Sequence, residues 1–198
     1  MPHPPEYAQV LIESLVPATR RDNIIGDLLE EYRETQVPER GETRADWWYV
    51  RQALGFLWRA AGPWAVAFGA MLALREVLDA TVATTDSFHF RAEVSTYLAF
   101  TIYASAGVST GWRSRRVMSG LIVSLVMTIV ATAMSLAAAL SVVALQSAGV
   151  MHVAASYFGF SKGLDLPILF MLIAGGGLST IGAAIGKTGR RFPRVDLI

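Results

Sequence analysis

The sequence predicts an all-α integral membrane protein, a four-helix transmembrane bundle with a small N-terminal helical head on the cytoplasmic side. Three observations predict it. Of 198 residues, 53% are hydrophobic and 17% are charged, whereas soluble domains carry about 25% charged residues. Residues 1–59 hold 17 of the 33 charged side chains, and residues 117–161 hold none. A soluble fold cannot solvate its surface across a stretch that long without Asp, Glu, Lys or Arg, so a bilayer is the economical solvent. Third, basic residues alternate between crowded and sparse connections, as they do in multi-pass chains.

The head occupies residues 1–42. Pro5 suits the first turn of a helix. Tyr7, Val10, Leu11, Leu15 and Val16 then follow a helical face until Pro17. A second helix is expected over residues 19–36, with Ile24, Ile25, Leu28, Leu29 and Tyr32 on one side and Asp22, Asp27, Glu30, Glu31 and Glu34 on the other. Val37-Pro38 and Gly41 are expected to end it. Thr43 is a candidate N-cap for a third helix. Its first part, residues 43–58, is expected to lie in the headgroup layer and lead into the first span. Trp47, Trp48, Tyr49, Arg51 and Trp58 would anchor it there, because an aromatic ring with a polar edge favours the interface. The N-terminal ten residues lack the basic and apolar regions of a cleavable signal, so the first span is expected to act as the targeting signal.

Spans are expected at residues 53–74, 95–112, 117–145 and 167–186. Arg59 lies near the head end of the first, within reach of headgroups, Pro63 is a candidate bend, and Arg75, Glu76 and Asp79 mark its exit. The third span has 29 residues without a charge, more than the roughly 20 needed to cross, so tilt or overhang is expected. The connection between spans two and three carries Arg113, Arg115 and Arg116, and the basic tail, residues 187–198, carries Lys187, Arg190, Arg191 and Arg194. The opposite connections carry Arg75 and Arg91 in one and Lys162 in the other. That asymmetry predicts both termini in the cytoplasm.

Few residues are candidates for chemistry. The acidic face formed by Asp27, Glu30, Glu31 and Glu34 reads first as a solvated helix face, and second as a docking surface for a basic partner, including the arginines over 113–116 or another chain. It lacks the convergent ligands or glycine-containing loop of a calcium site. His3, His89 and His152 are scattered and no H-E-x-x-H occurs. Gly186-Lys187-Thr188 lacks the earlier glycine of a phosphate-binding loop, since position 181 is Ile181. Gly175, Ser179, Gly182 and Gly186 place small residues at four-residue spacing, the pattern of close helix packing. A second reading of the same glycines is an unwound segment facing a substrate path. Thr101, Ser105, Ser109, Thr128, Thr132 and Ser135 are expected to bond back to their own helices. No nucleophile with a base, carboxylate pair or metal-ligand cluster stands out, so no enzyme, cofactor or metal is expected. A net charge of +1 gives no case for nucleic acid.

The run Ile25-Gly26-Asp27-Leu28-Leu29-Glu30-Glu31-Tyr32-Arg33-Glu34, followed by Trp48-Tyr49-Val50-Arg51-Gln52-Ala53-Leu54, resembles the permease prefix segment. That segment precedes the first membrane helix of bacterial ABC-transporter permeases of the macrolide-exporter type. The likeness covers residues 5–60. It implies a bacterial inner-membrane location, a Gly26 that lets another helix come close, and Arg51-Gln52 at the membrane surface. Those permeases continue into large periplasmic domains, whereas the outer connections here are expected to be only about twenty residues each. The resemblance therefore implies a shared membrane-proximal module rather than export activity. The function expected is that of a non-enzymatic accessory, docking or assembly subunit, partnered by the lipid bilayer and by an ABC-type permease or another membrane protein. The alternative is a small transporter or channel built by a homo-oligomer. It requires the Ser and Thr of spans two and three to converge with the glycines of span four on a wet path.

Overall fold

The computed structural model describes residues 2–81, 85–150 and 176–189, with backbone alone at 85–89, 91 and 92. Among the described residues the chain is helical and has no strand. In chain order the helices are α1 (Glu6–Leu15), α2 (Arg21–Glu31), a π-helical turn (Tyr32–Gln36), α3 (Val37–Arg40), α4 (Glu42–Thr81), α5 (Thr85–Ser114), α6 (Met118–Ser147) and α7 (Gly176–Gly189). Gly175, His152, Lys162, the first half of the expected fourth span and the tail beyond residue 189 lie outside the described residues, as does the side chain of His89.

The head forms its own small core. Ala8, Ile12 and Val16 from the first segment meet Tyr32 from the π turn and Ala45, Tyr49 and Ala53 from α4. The last three stand four residues apart, hence on one stripe of a helix. Two small residues flanking a tyrosine leave a slot that Tyr32 fills, its ring edge-on to Tyr49 at 5.8 Å and 81°. The sequence assigned Tyr49 to the membrane interface. That is corrected here: Tyr49 is fully buried in the head core. Tyr7 and Val10, expected on the packed face of α1, point outward instead, because the buried stripe runs through Ala8, Ile12 and Leu15.

Of the two signals expected to end the second helix, Gly41 does so and Val37-Pro38 is corrected. The helical path continues to Arg40, because the π turn takes up one extra residue just before the proline, with the Val37 amide donating to the Tyr32 carbonyl five residues back. Pro38 then falls in the first turn of α3, where its missing N–H costs least. Gly41 is the true break. Its amide donates to the Val37 carbonyl at 3.0 Å, while its carbonyl accepts from Ala45 at 3.1 Å, so one residue closes α3 and opens α4. At φ 77° and ψ 161° it holds a backbone conformation nearly reserved for glycine. Thr43, the expected cap, is already inside α4.

α4 is one 40-residue helix, about 60 Å long at 1.5 Å per residue. The stretch over 43–58 leads without a break into the stretch expected as the first span: its first turns complete the head core and its remainder enters the bundle. Pro63 is accommodated within it. The 20-residue outer connection expected between spans one and two is replaced by helix on both sides, α4 ending at Thr81 and α5 beginning at Thr85. By length and composition two helices, α4 and α6, are apolar enough to cross a membrane.

The bundle core is formed by Ala61, Ala65 and Phe68 of α4, Ala99, Tyr103 and Ala106 of α5, and Val123, Met127 and Ala131 of α6, with Leu15 of the head joining them. Phe68 and Tyr103 meet edge to face at 5.0 Å. The most extensive packing pairs α4 with α6 and α5 with α7. On the second pair Gly107 lies against Ser179 and Gly111 against Ala183, so residue numbers rise together and the helices run parallel. The C-terminal end of α7 therefore lies at the same end of the bundle as the head.

Candidate functional site

The head is fastened to that end of the bundle by polar contacts to the α5–α6 turn. The Ala18 amide donates to the Arg113 carbonyl at 3.1 Å. The Arg21 guanidinium donates to the Ser114 carbonyl and, at 3.4 Å, to that of Val16. Both contacts satisfy carbonyls that the end of α5 would otherwise leave open, and a cation there suits the helix dipole. Arg116 adds an ion pair to Glu13 at 3.3 Å. Arg115 closes the turn at φ 57°, a left-handed conformation uncommon for a residue with a Cβ. Burial and then the neighbouring Arg116 charge lower the Arg21 pKa. It stays charged at neutral pH, in a crowded cationic corner.

The acidic face of the head is presented outward. Asp27, Glu30, Glu31 and Glu34 are all exposed, and of these Glu31 accepts a hydrogen bond from Gln36 at 3.3 Å. Among the described residues the face makes no ion pair with the arginines of the α5–α6 turn, of which Arg116 pairs with Glu13 of α1. Gly26 lies within the same exposed stripe, and a Cβ there would meet nothing within 4 Å. Among the described residues no helix makes the close approach that the resemblance implies for it.

Of the other residues expected at the interface, Trp47 and Trp58 are 67% and 55% exposed. Trp48 is half-buried against the head core, and Arg51 is exposed. Trp58 lies across Gly62, where a Cβ would come within 2.9 Å of the indole. Arg59 stands 6.0 Å from the Phe56 ring.

Small residues form a continuous seam between α5 and α7, with α6 closing over it. Ser179 is fully buried and donates to the Tyr103 carbonyl at 3.1 Å. Gly182 faces α5 so closely that a Cβ would stand 2.6 Å from the Ala104 carbonyl oxygen. Gly186 continues the helix one turn further. The residues that receive them were not singled out in the sequence: Gly107 and Gly111 of α5, whose added Cβ atoms would overlap the carbonyls of Ser179 and Ala183, and Gly120 of α6, where an added Cβ would stand 2.5 Å from the Ser179 carbonyl oxygen. The Gly107-x-x-x-Gly111 spacing carries the same small-residue signature as span four and marks its partner. Beside the seam, Tyr103 and Thr128 hydroxyls bond at 2.7 Å, and Thr128 donates back to the Ser124 carbonyl at 2.9 Å. Thr101 and Thr110 likewise bond back within α5. Thr101 is exposed, whereas Tyr103, Thr110, Thr128 and Ser179 are buried with their hydroxyls hydrogen-bonded in or beside the seam.

A second polar group lies at the far end. Arg75 donates to Ser95 at 3.0 Å and pairs with Asp79 at 3.4 Å, the latter four residues along the same helix. Ser135 of α6 donates to Glu76 at 3.3 Å. The sequence marked Arg75, Glu76 and Asp79 only as an exit from the first span. Their cross-helix partners depend on how α4 meets α5 and α6, which no local pattern encodes. Among the described residues no group of three His, Asp or Glu side chains is placed to hold a metal.

No protein-family model matches the chain, and no curated protein or solved structure matches it.

Proposed function

We propose that the chain is a four-span accessory subunit of the bacterial inner membrane, with both termini cytoplasmic, whose head docks a basic surface on a membrane partner. The observation that carries this reading is the exposed stripe of Gly26, Asp27, Glu30, Glu31 and Glu34 on a head fixed to its bundle. A mid-helix glycine costs roughly 1 kcal/mol relative to alanine. Among the described residues Gly26 receives no packing in return, so an external helix is its natural neighbour. Fixing the head through Ala18, Arg21 and Arg116 holds the stripe in one orientation, which lowers the ordering cost of binding.

The topology draws support from the shared location of the head, Arg113, Arg115, Arg116 and Lys187 at one end, in keeping with the distribution of positive charge. The motif pair resembling the permease prefix makes an ABC-type permease the partner class of choice. The alternative, an oligomeric channel lined by spans two to four, is weakened by the seam. There the buried Thr110, Thr128 and Ser179 hydroxyls are hydrogen-bonded and the glycines bring backbone against backbone, while Thr101 is exposed and Ser135 bonds to Glu76 at the far end, so these side chains do not gather on one path.

The test is gentle solubilisation from the native membrane followed by identification of what co-purifies. A stoichiometric membrane protein, released when Glu30, Glu31 and Glu34 are changed together to Lys, is the expected outcome. A partner retained by that variant contradicts docking through the acidic face. A homogeneous oligomer with nothing attached, and ion flux after reconstitution in liposomes, would support the channel instead.

A further inference from the structure

Folding brings two separate stretches of positive charge together at the head end of the bundle. The hydrogen bond from Ala18 to the Arg113 carbonyl sets the turn holding Arg20 and Arg21 beside the turn holding Arg113, Arg115 and Arg116. The register of α7 on α5, with Ala183 opposite Gly111, carries Lys187 to the level of Arg115. Not all of this charge is consumed by structure. Arg21 caps α5 and Arg116 pairs with Glu13. The side chains of Arg20, Arg113, Arg115 and Lys187 are exposed and make no hydrogen bond or ion pair among the described residues. Among the described residues the acids acting on this corner are Glu13, already paired, and Asp22, so it keeps a surplus of cations.

What surrounds these cations is apolar. Trp112, adjacent to Arg113, is 40% exposed, and Met118 and Leu121, at the start of α6, are 54% and 43% exposed. An amphiphile with an anionic head and a hydrocarbon tail matches that arrangement, because its phosphate meets guanidinium groups while its chains cover Trp112, Met118 and Leu121. A free phosphate would leave those three side chains in water. We propose that Arg20, Arg113 and Arg115, bordered by Lys187, form a binding site for the phosphodiester headgroup of an anionic phospholipid at the α5–α6 turn. Arginine suits this role through its paired donors. A lipid bound there bridges head and bundle and holds the docking face at a fixed height above the bilayer.

The proposal rests on the membrane topology given above, and the test separates the two. Carbonate extraction of membranes is done first: release of the chain would overturn the topology and the lipid site together. With the chain retained, the full-length protein is reconstituted in vesicles of phosphatidylcholine containing increasing brominated phosphatidylglycerol. Quenching of Trp112 is read as the difference between the chain and its Trp112→Phe variant. Preference for the brominated anionic lipid over brominated phosphatidylcholine is expected. It should fall roughly 100-fold in Arg20→Gln/Arg113→Gln/Arg115→Asn, about fivefold per cation removed. Asn is chosen at 115 because it tolerates left-handed backbone. An Arg20→Lys/Arg113→Lys/Arg115→Lys variant should keep part of the preference, and Arg40→Gln/Arg44→Gln, on exposed head arginines outside the cluster, should keep all of it. Carbonate resistance and an unchanged helical circular dichroism spectrum serve as the folding check on each variant. Equal quenching by the two lipids, or an unaltered preference in the Gln/Asn variant, would overturn the site. Displacement of the lipid by millimolar inorganic phosphate would likewise overturn it in favour of a soluble anion.

Discussion

Two tyrosines of the head touch each other and have opposite fates. The Tyr32 hydroxyl donates to Asp46 at 2.6 Å. The Tyr49 hydroxyl is buried and finds no hydrogen-bond partner among the described residues. A lost bond to a charged acceptor costs about 1.5–3 kcal/mol, whereas removing an unpaired buried hydroxyl relieves a desolvation penalty. Tyr32→Phe should therefore lower the thermal midpoint in detergent, while Tyr49→Phe should leave it unchanged or raise it. The pH dependence follows from the same contacts. Burial, and for Tyr32 also Asp46, pushes both phenols above their ordinary pKa. The neutral form is the one folding favours, so this stability is complete below about pH 10, the unfolded value. It is lost as pH rises from there through the folded pKa values. A fall in head stability beginning in the neutral range would contradict this assignment. Gly41 is the third residue on which the head depends: Gly41→Ala should cost about 1–3 kcal/mol, because its backbone conformation excludes a Cβ. Gly26→Ala, in open space, should stabilise the isolated protein by up to about 1 kcal/mol and weaken any partner seated on that stripe.

Among the elements, α6 was the most legible, because an uncharged run of that length makes one long apolar helix. The head helices were legible in kind but not in their ends. Proline normally stops a helix, and here a π turn one residue ahead absorbs it, a compensation that depends on backbone geometry rather than composition. Tyr49 was misread for a related reason. An aromatic run before an apolar helix has the pattern of an interfacial belt, and only the packing of α1 and Tyr32 onto Ala45 and Ala53 turns one member inward. The α5–α7 seam was half visible: the span-four glycines announced a close contact, and its acceptor on α5 carries the same spacing. Gly107→Leu should force the two helices apart at about 1–3 kcal/mol, read as a lowered unfolding midpoint in detergent. Gly177→Leu, with nothing within 4 Å of its added Cβ, should be tolerated. Equal effects of the two would mean that the seam does not hold the bundle.

For the molecule as a whole, the parallel pairing of α5 with α7 matters most, because it sets the end of α7 beside the head and gathers the basic residues on one side. The far-end contacts of Arg75, Glu76, Ser95 and Ser135 were not legible, since each joins helices whose relative rotation no local sequence specifies. The docking proposal, the lipid site and the count of spans all depend on which side of the bilayer each end occupies. The chain contains no cysteine, so single cysteines report position without background. Glu30→Cys in the head, Thr188→Cys at the end of α7 and Ser147→Cys at the end of α6 would be labelled in right-side-out vesicles with a membrane-impermeant maleimide. The account predicts that Ser147→Cys reacts at once, while Glu30→Cys and Thr188→Cys react only after permeabilisation. Labelling of Glu30→Cys from outside, or of Ser147→Cys and Thr188→Cys from the same side, would contradict it.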